Sequence, residues 1–267
     1  MLAFAIVRIN ARDFTPAGQP MHCNLGNFMN LLTTRVALFL IFVAGLSWPV
    51  AAVAGPITYT FTNGGLGASA EFVRSGSDLI VTLTNTGTAD AIVPTDILTA
   101  VYFEVDGNPA LTRTSAVVPI TSDVFEIGTG TLETPGDRVV GGEWAFLITS
   151  GISSTGLGIF GPGDRFPGAN LQGPDSPGGV EFGIIPAADN LLTGNGGITG
   201  SWMIRNAAVF TLAGFSAEPD AAIGNVVFQY GTALDEPQYG GDIPEPSSFV
   251  LAALGLIGLV VWRRRKR

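Results

Sequence analysis

The chain has 267 residues, of which 22 are acidic and 13 are basic, and its formal net charge is −9. It contains one cysteine and one histidine, which excludes an intrachain disulfide and a zinc site built from several cysteine and histidine ligands. An acidic chain repels phosphate backbones, which argues against nucleic-acid binding.

The first apolar block, residues 36–46, has the features of a secretory signal peptide. A basic residue precedes this block, and a small-x-small sequence that ends at Ala54 follows it. We therefore predict cleavage between Ala54 and Gly55. Since such signals begin close to the initiator methionine, we interpret residues 29–54 as the signal peptide and residues 1–28 as an overlong start assignment. An unusually extended n-region is the alternative.

Signal cleavage would leave a mature region that contains no histidine and no cysteine. His22 and Cys23 lie upstream of the predicted cleavage, so Cys nucleophiles, Ser-His-Asp triads and Cys/His zinc sites are excluded downstream. Residues 55–243 contain five arginines, no lysine and 20 acidic side chains, which gives a net charge of −15. A surface with this charge keeps a secreted domain soluble and can attract divalent cations.

Short segments that alternate apolar and polar residues follow, separated by Gly, Asn and Pro. This period of two predicts an antiparallel all-β domain over residues 55–234, a β-sandwich of immunoglobulin-like or jelly-roll topology. Asp106-Gly107 predicts a hairpin turn after the strand that contains Val105, since this dipeptide tolerates positive φ. The predicted strands are 57–62, 70–73, 79–84, 97–105, 123–127, 143–149, 181–185, 207–212 and 226–230.

Two segments depart from this spacing. Residues 150–179 contain nine glycines and four prolines among 30 residues, which predicts a long loop. Phe160, Phe166 and Leu171 occur along it, so we expect the loop to be ordered and packed on the sandwich. Residues 235–243 are acidic and rich in Pro and Gly, and we interpret them as a stalk.

The chain ends in three consecutive elements. A Pro-Glu-Pro tripeptide interrupts regular structure, and residues 249–262 then form an uninterrupted apolar run. As a helix this run covers about 21 Å, against about 30 Å for the hydrocarbon core of a bilayer. We predict a transmembrane helix that holds the protein only transiently, with an ordinary single-pass anchor as the alternative. The basic block that stops the helix on the cytoplasmic side is Arg263, Arg264, Arg265, Lys266 and Arg267.

The arrangement over residues 244–267 resembles the PEP-CTERM sorting tail of Gram-negative surface proteins. The resemblance implies that an exosortase recognises Pro244, Glu245 and Pro246 after the protein has become an inner-membrane intermediate. It also implies delivery to the cell surface or the extracellular matrix. We therefore expect a secreted, non-enzymatic protein with no catalytic residues, associated with exopolysaccharide in a biofilm.

Two other classes of function stay open. A carbohydrate-binding or adhesive module would use exposed aromatic side chains, and Trp202 and Tyr239 are the freest candidates. Trp144 lies in an apolar run, so we expect it in the core. A surface glycoside hydrolase needs two facing carboxylates, for which Glu143 and Asp164 are the candidate pair.

Calcium is the one metal that the composition favours, and we expect no other cofactor. Hard oxygen ligands in Gly-rich loops suit this ion. Asp164, Asn170 and Asp175 are the candidate ligands in the long loop, and Asp106 with Asn108 forms a second candidate pair. The sequence has no EF-hand spacing to support either set.

Overall fold

The computed structural model describes residues 55–155, 166–173, 179–233 and 235–243. The predicted signal helix, the predicted transmembrane helix and Phe160 lie outside these ranges. Within the ranges the all-β prediction is confirmed, since strands and turns dominate and the one α-helix, α1, is a single turn at Pro219–Ala222. No helix in the described part has the length and apolar character that crossing a bilayer requires.

The described residues form 14 strands, which assemble into one sheet of five strands and one of nine. In chain order the strands are β1 (Ile57–Asn63), β2 (Leu66–Ser75), β3 (Asp78–Asn85), β4 (Leu98–Val105), β5 (Thr112–Val117), β6 (Asp123–Glu126), β7 (Ala145–Leu147), β8 (Gly151–Ser153), β9 (Ala169–Asn170), β10 (Ile184–Ile185), β11 (Trp202–Arg205), β12 (Ala207–Ala213), β13 (Ile223–Tyr230) and β14 (Gln238–Gly240).

The five-stranded sheet has the order β1-β2-β3-β12-β5 and is antiparallel throughout. Its strands β3 and β12 bury every second residue along most of their length. In β3, Leu79, Val81 and Leu83 are fully buried, while the residues between them are partly exposed. This is the burial pattern that the alternating sequence predicts for a strand with one face toward a core.

The nine-stranded sheet is built around β4. One side of β4 pairs with β13, and its other side pairs with β8 and β10. The sheet continues through β7 and β9 in one direction and through β11 and β6 in the other. The antiparallel prediction has one exception here, because β10 and β11 pair in parallel, with Ile184 opposite Ile204.

The buried faces of the two sheets contribute to one core. Phe72 of β2 meets Phe103 of β4 with ring centroids 5.1 Å apart, and Phe210 of β12 packs on Trp144 at 4.8 Å. The Trp144 indole N–H donates to the carbonyl of Phe182 at 3.2 Å, so its one polar atom is satisfied. A smaller apolar cluster packs separately and consists of Ala91, Ile97, Ile127, Val180, Ile185, Ile198 and Met203.

The predicted hairpin after β4 is wrong. Asp106-Gly107 does form a turn, in which the Asn108 N–H donates to the Val105 carbonyl at 3.0 Å. The next strand, β5, nevertheless joins the five-stranded sheet. Leu111 is buried in the shared core, so the chain crosses between the sheets at this point instead of folding back on β4.

Two segments that the sequence presents as irregular contain strands. Residues 150–179 include β8 and β9, and Phe166 and Leu171 are buried. Residues 235–243 include β14, which pairs with β13, so their interpretation as a free stalk is wrong. These short strands depend on backbone hydrogen bonds with β4, β7 and β13, which the local composition of Gly and Pro does not reveal.

Candidate functional site

The last described residues before the sorting tail form a closing segment (residues 238–242) that joins the two sheets. Its strand β14 pairs with β13 of the nine-stranded sheet. The chain then reaches β1, the edge strand of the other sheet, where Thr60 and Asp242 exchange two backbone hydrogen bonds of 2.8 Å. The Gly241 N–H donates to the Val226 carbonyl, also at 2.8 Å. The closing segment therefore belongs to both sheets.

Side chains reinforce the closing segment. The Tyr239 ring stacks on Phe61, with centroids 4.2 Å apart and planes 17° apart, and meets Tyr230 edge-on at 5.9 Å. Gly241 permits a close approach, since a Cβ there would lie 2.9 Å from the Phe228 ring and 3.1 Å from the Cβ of Tyr59. These contacts hold the backbone in place immediately before the sorting tail.

The closing segment leaves little free chain before the predicted recognition tripeptide. The Glu236 carboxylate accepts hydrogen bonds from the N–H groups of Thr232 and Ala233, the latter at 2.8 Å, so the chain before β14 is folded as a turn. Pro244 follows the bridged residue Asp242 by two positions. Only Ile243 therefore separates the bridged residue from the tripeptide in the sequence.

A groove lies on the outer face of the nine-stranded sheet, where side chains point away from the shared core. Two adjoining cavities of about 440 and 340 Å³ share Glu104 and Thr149 as lining residues. We call them together the β4–β13 groove. Tyr102 and Glu104 line it from β4, and Val227, which pairs with Tyr102, lines it from β13. Gln238 of the closing segment forms part of the wall.

An amide and a carboxylate meet at the rim of this groove. The Asn225 side-chain N–H donates to Oε2 of Glu104 at 2.6 Å. Asn225 has a φ of 49° and lies where the register of β13 shifts between Gly224 and Val227. Such bulges re-aim side chains and are frequent beside functional sites, and a left-handed non-glycine residue is uncommon. Both features bring the Asn225 amide to Glu104.

The floor of the groove is aromatic and uncharged. The rings of Tyr102 and Phe166 lie 6.1 Å apart. The Tyr102 hydroxyl donates to Oε1 of Gln229, a fully buried side chain. Burial raises the pKa of Tyr102 above its usual range, although a hydrogen bond with Ser153 acts in the opposite direction. Tyr102 is therefore neutral at physiological pH, and Glu104 is the acidic side chain among the described residues that line the larger cavity.

The aromatic candidates from the sequence have different environments. Trp144 is fully buried, as predicted, and contributes to the core. Trp202 is 42% exposed and touches Phe182 edge-on at 6.1 Å, but it does not line the groove. The prediction that Tyr239 is free is wrong, because its ring is stacked within the closing segment.

The carboxylate and calcium candidates are only partly described. Glu143 lies beside the buried Trp144, while its proposed partner Asp164 and the calcium candidate Asp175 fall outside the described residues. The Asn170 side-chain amide donates to the carbonyl of Gln172 at 3.0 Å. In the described ranges, no three Asp, Glu, His or Cys side chains group closely enough to hold a metal ion. The hydrolase pair and the calcium site stay predictions.

The sequence analysis did not identify the groove. Tyr102 and Glu104 are two residues apart on a predicted strand, which places them on one face of a sheet. Nothing in the local sequence pairs Glu104 with Asn225, which is 121 positions away. The bulge that orients Asn225 does have a weak sequence signal, because Gly224-Asn225 precedes the predicted strand 226–230 and a glycine at a strand can mark a bulge.

Comparisons with known proteins locate one feature. Residues 242–266 match a family model described as the PEP-CTERM protein-sorting motif, which confirms the resemblance. The motif implies exosortase processing, export and a surface or extracellular location. It begins at Asp242, the residue bridged to Thr60, so motif and folded domain overlap at that position. Neither the curated proteins nor the solved structures give a match. The immunoglobulin-like or jelly-roll topology therefore stays a prediction.

Proposed function

We propose that this exosortase-sorted chain is a non-enzymatic protein of the cell surface or extracellular matrix that associates with exopolysaccharide. The observation that carries the proposal is the sorting motif at residues 242–266. In this proposal, residues 29–54 direct export and are removed after Ala54. The apolar run 249–262 then holds an inner-membrane intermediate while Pro244-Glu245-Pro246 is recognised.

The chemistry of the mature region supports a role without catalysis. Residues 55–243 contain no histidine, cysteine or lysine. The usual general bases and activated nucleophiles near neutral pH are thus restricted to carboxylates and hydroxyls. The carboxylate whose pKa is raised, Asp189, is buried and accepts a hydrogen bond from the Ala91 N–H at 2.6 Å, which suits a structural role.

Glu245→Ala tests the sorting step. We expect the full-length variant to accumulate in the inner membrane, because the charged residue of the recognition tripeptide is lost. Fractionation of producing cells, followed by intact-mass measurement of the protein in each fraction, gives the readout. The matched control is Glu133→Ala, which removes an exposed carboxylate elsewhere in the domain. Normal export and processing of the Glu245 variant would contradict the proposed sorting role.

A carbohydrate-binding or adhesive module is the second candidate for the folded domain. The observation that favours it is the β4–β13 groove, which combines an aromatic floor with hydroxyl, amide and carboxylate groups at its rim. Ligand sites in proteins have this composition, with a mostly apolar lining and a few placed polar groups. Sorting and ligand binding are compatible, since the tail and the groove use different residues for recognition.

A further inference from the structure

The β4–β13 groove combines features that the fold does not need for stability. Glu104, Thr149 and Asn225 are exposed, so burial does not explain their arrangement. Asn225 keeps a left-handed φ of 49° within the register shift of β13. Backbone conformations of this kind cost roughly 1–3 kcal/mol and concentrate at functional sites. The groove is therefore the strongest candidate for a ligand site in the described part of the chain.

The rim offers both kinds of hydrogen-bonding group. Glu104 and Thr149 provide acceptor oxygens, and the Asn225 amide and the Thr149 hydroxyl provide donors. The Asn225–Glu104 contact of 2.6 Å holds the amide and carboxylate side by side, so both can face the same small group. A pair of neighbouring hydroxyls, each of which donates and accepts, fits this arrangement.

The floor fits the apolar face of the same ligand. The half-buried Tyr102 supplies ring surface, and Val227 continues the apolar surface along β13, while Phe166 is buried beside Tyr102. The larger cavity, of about 440 Å³, lies within the range of about 300–1,000 Å³ that is usual for small-ligand sites. The second cavity continues it past Glu104 toward Asp106, so a chain-like ligand can extend along the sheet.

Charge limits the class of ligand. Among the described residues that line the two cavities there is no arginine or lysine, and the acidic side chains there are Glu104 and Asp106. These two acidic side chains disfavour a phosphate, a sulfate or a uronate. An uncharged ligand rich in hydroxyls meets no such penalty.

We propose, on the basis of the surface role proposed above, that the β4–β13 groove binds a segment of a neutral glycan. Tyr102 packs against a sugar ring, and Glu104 and Asn225 hydrogen-bond neighbouring hydroxyls. Gln238, which forms part of the groove wall, belongs to the closing segment. The bound glycan therefore lies beside the base of the sorting tail.

Binding by the full-length protein tests this site. The protein is solubilised in lauryldimethylamine oxide, a detergent without a sugar headgroup, and applied to an array of neutral, amino-sugar and uronate oligosaccharides. We expect saturable binding to neutral members and none to uronates. The affinity for the strongest neutral member is then measured by calorimetry for wild type and variants.

Two variants remove the rim groups with little effect on the fold. Asn225→Gly deletes the amide at a position whose φ suits glycine, and Glu104→Ala deletes an exposed carboxylate. We expect each to raise Kd at least tenfold, roughly the loss of one hydrogen bond to a charged or well-placed group. Glu133→Ala is the matched control and should leave Kd unchanged, while melting curves verify folding of all variants.

Three results would overturn the inference. These are no binding to any array member by folded protein, binding that both rim variants leave intact, and a preference for uronates. The Glu245→Ala experiment reads out sorting in cells and does not depend on the groove, so failure of the glycan site and failure of the sorting proposal are distinguishable.

Discussion

Gly151 is a residue at which the backbone has no room for a side chain. It has a φ of 128° and opens β8, which pairs with β4. A Cβ at this position would lie 2.3 Å from the carbonyl oxygen of Val101 and 2.7 Å from the Cα of Tyr102. These neighbours are backbone atoms of the central strand, so they cannot rotate away.

Gly151→Ala should therefore lower the free energy of unfolding by roughly 2–4 kcal/mol, from backbone strain and overpacking together. Chemical denaturation followed by tryptophan fluorescence gives the value. Gly136→Ala is the matched control, because a Cβ there meets no atom within 4 Å, and its change should stay within about 0.5 kcal/mol. If the two substitutions lower the free energy of unfolding equally, the backbone contacts of Gly151 with β4 do not exclude a side chain there.

Asp189 makes stability depend on pH. Burial raises its pKa above 3.8, the Ala91 N–H lowers it, the neighbouring Asp90 raises it, and Arg205 lowers it. The folded state thus binds the proton more tightly than the unfolded state. Its contribution to stability is present below about pH 3.8 and is lost as pH rises through the higher folded pKa.

Asp189→Asn removes this titration and keeps an oxygen to accept the Ala91 N–H. We expect the Tm of the variant to rise relative to wild type as pH increases from about 3 to 7, because only wild type acquires a buried charge. Differential scanning calorimetry at several pH values measures the difference in Tm between the variant and wild type. Asp220→Asn, at an exposed position, is the control for the loss of one carboxylate. If the Tm of Asp189→Asn instead falls relative to wild type as pH rises, the expected direction is contradicted.

The closing segment is the element that completes the fold. Tyr239→Ala removes the ring stacked on Phe61 and should destabilise the protein by about 1–3 kcal/mol, from lost aromatic contact and apolar burial. Thermal unfolding of the purified protein tests this. Tyr239→Phe keeps the ring and should stay close to wild type. If Tyr239→Ala unfolds at the same temperature as wild type, the closing segment does not hold the two sheets together.

The longer strands could be predicted because their burial is periodic. β1, β3 and β12 each alternate buried and partly exposed residues, and the sequence marks them correctly. The strands that the sequence missed are β5, β8, β9, β11 and β14. Most of these have four residues or fewer, too few for a period of two to stand out, and some pair with strands that are not their neighbours in the chain, as β5 does with β12 and β11 with β6.

The candidate sites also differ in how far the local sequence can identify them. The sorting motif is contiguous, so local sequence was sufficient to recognise it, and the family model matches residues 242–266. The β4–β13 groove gathers residues from five separated segments, and its Asn225 depends on a bulge. Only tertiary structure brings such residues together.

At the scale of the whole molecule, the predicted maturation begins with cleavage of the signal peptide near the N-terminus of the chain. Ala54→Leu should block signal cleavage, because the enzyme requires a small residue before the cut. Intact mass of the exported protein then reveals the uncleaved chain instead of one that starts at Gly55. Val53→Leu changes the adjacent, unconstrained position by a similar volume and should be processed normally. Cleavage of the Ala54 variant at the same bond would exclude this site.

The bridge between Thr60 and Asp242 has a consequence for how the domain is presented. Since this pairing is antiparallel, the chain that runs back from Thr60 toward Gly55 and the chain that runs on from Asp242 toward Ile243 leave in the same direction. Whatever is attached to either end is thus attached at one corner. A domain tethered first by its leader and later by its tail would expose the same far side to its surroundings at both stages.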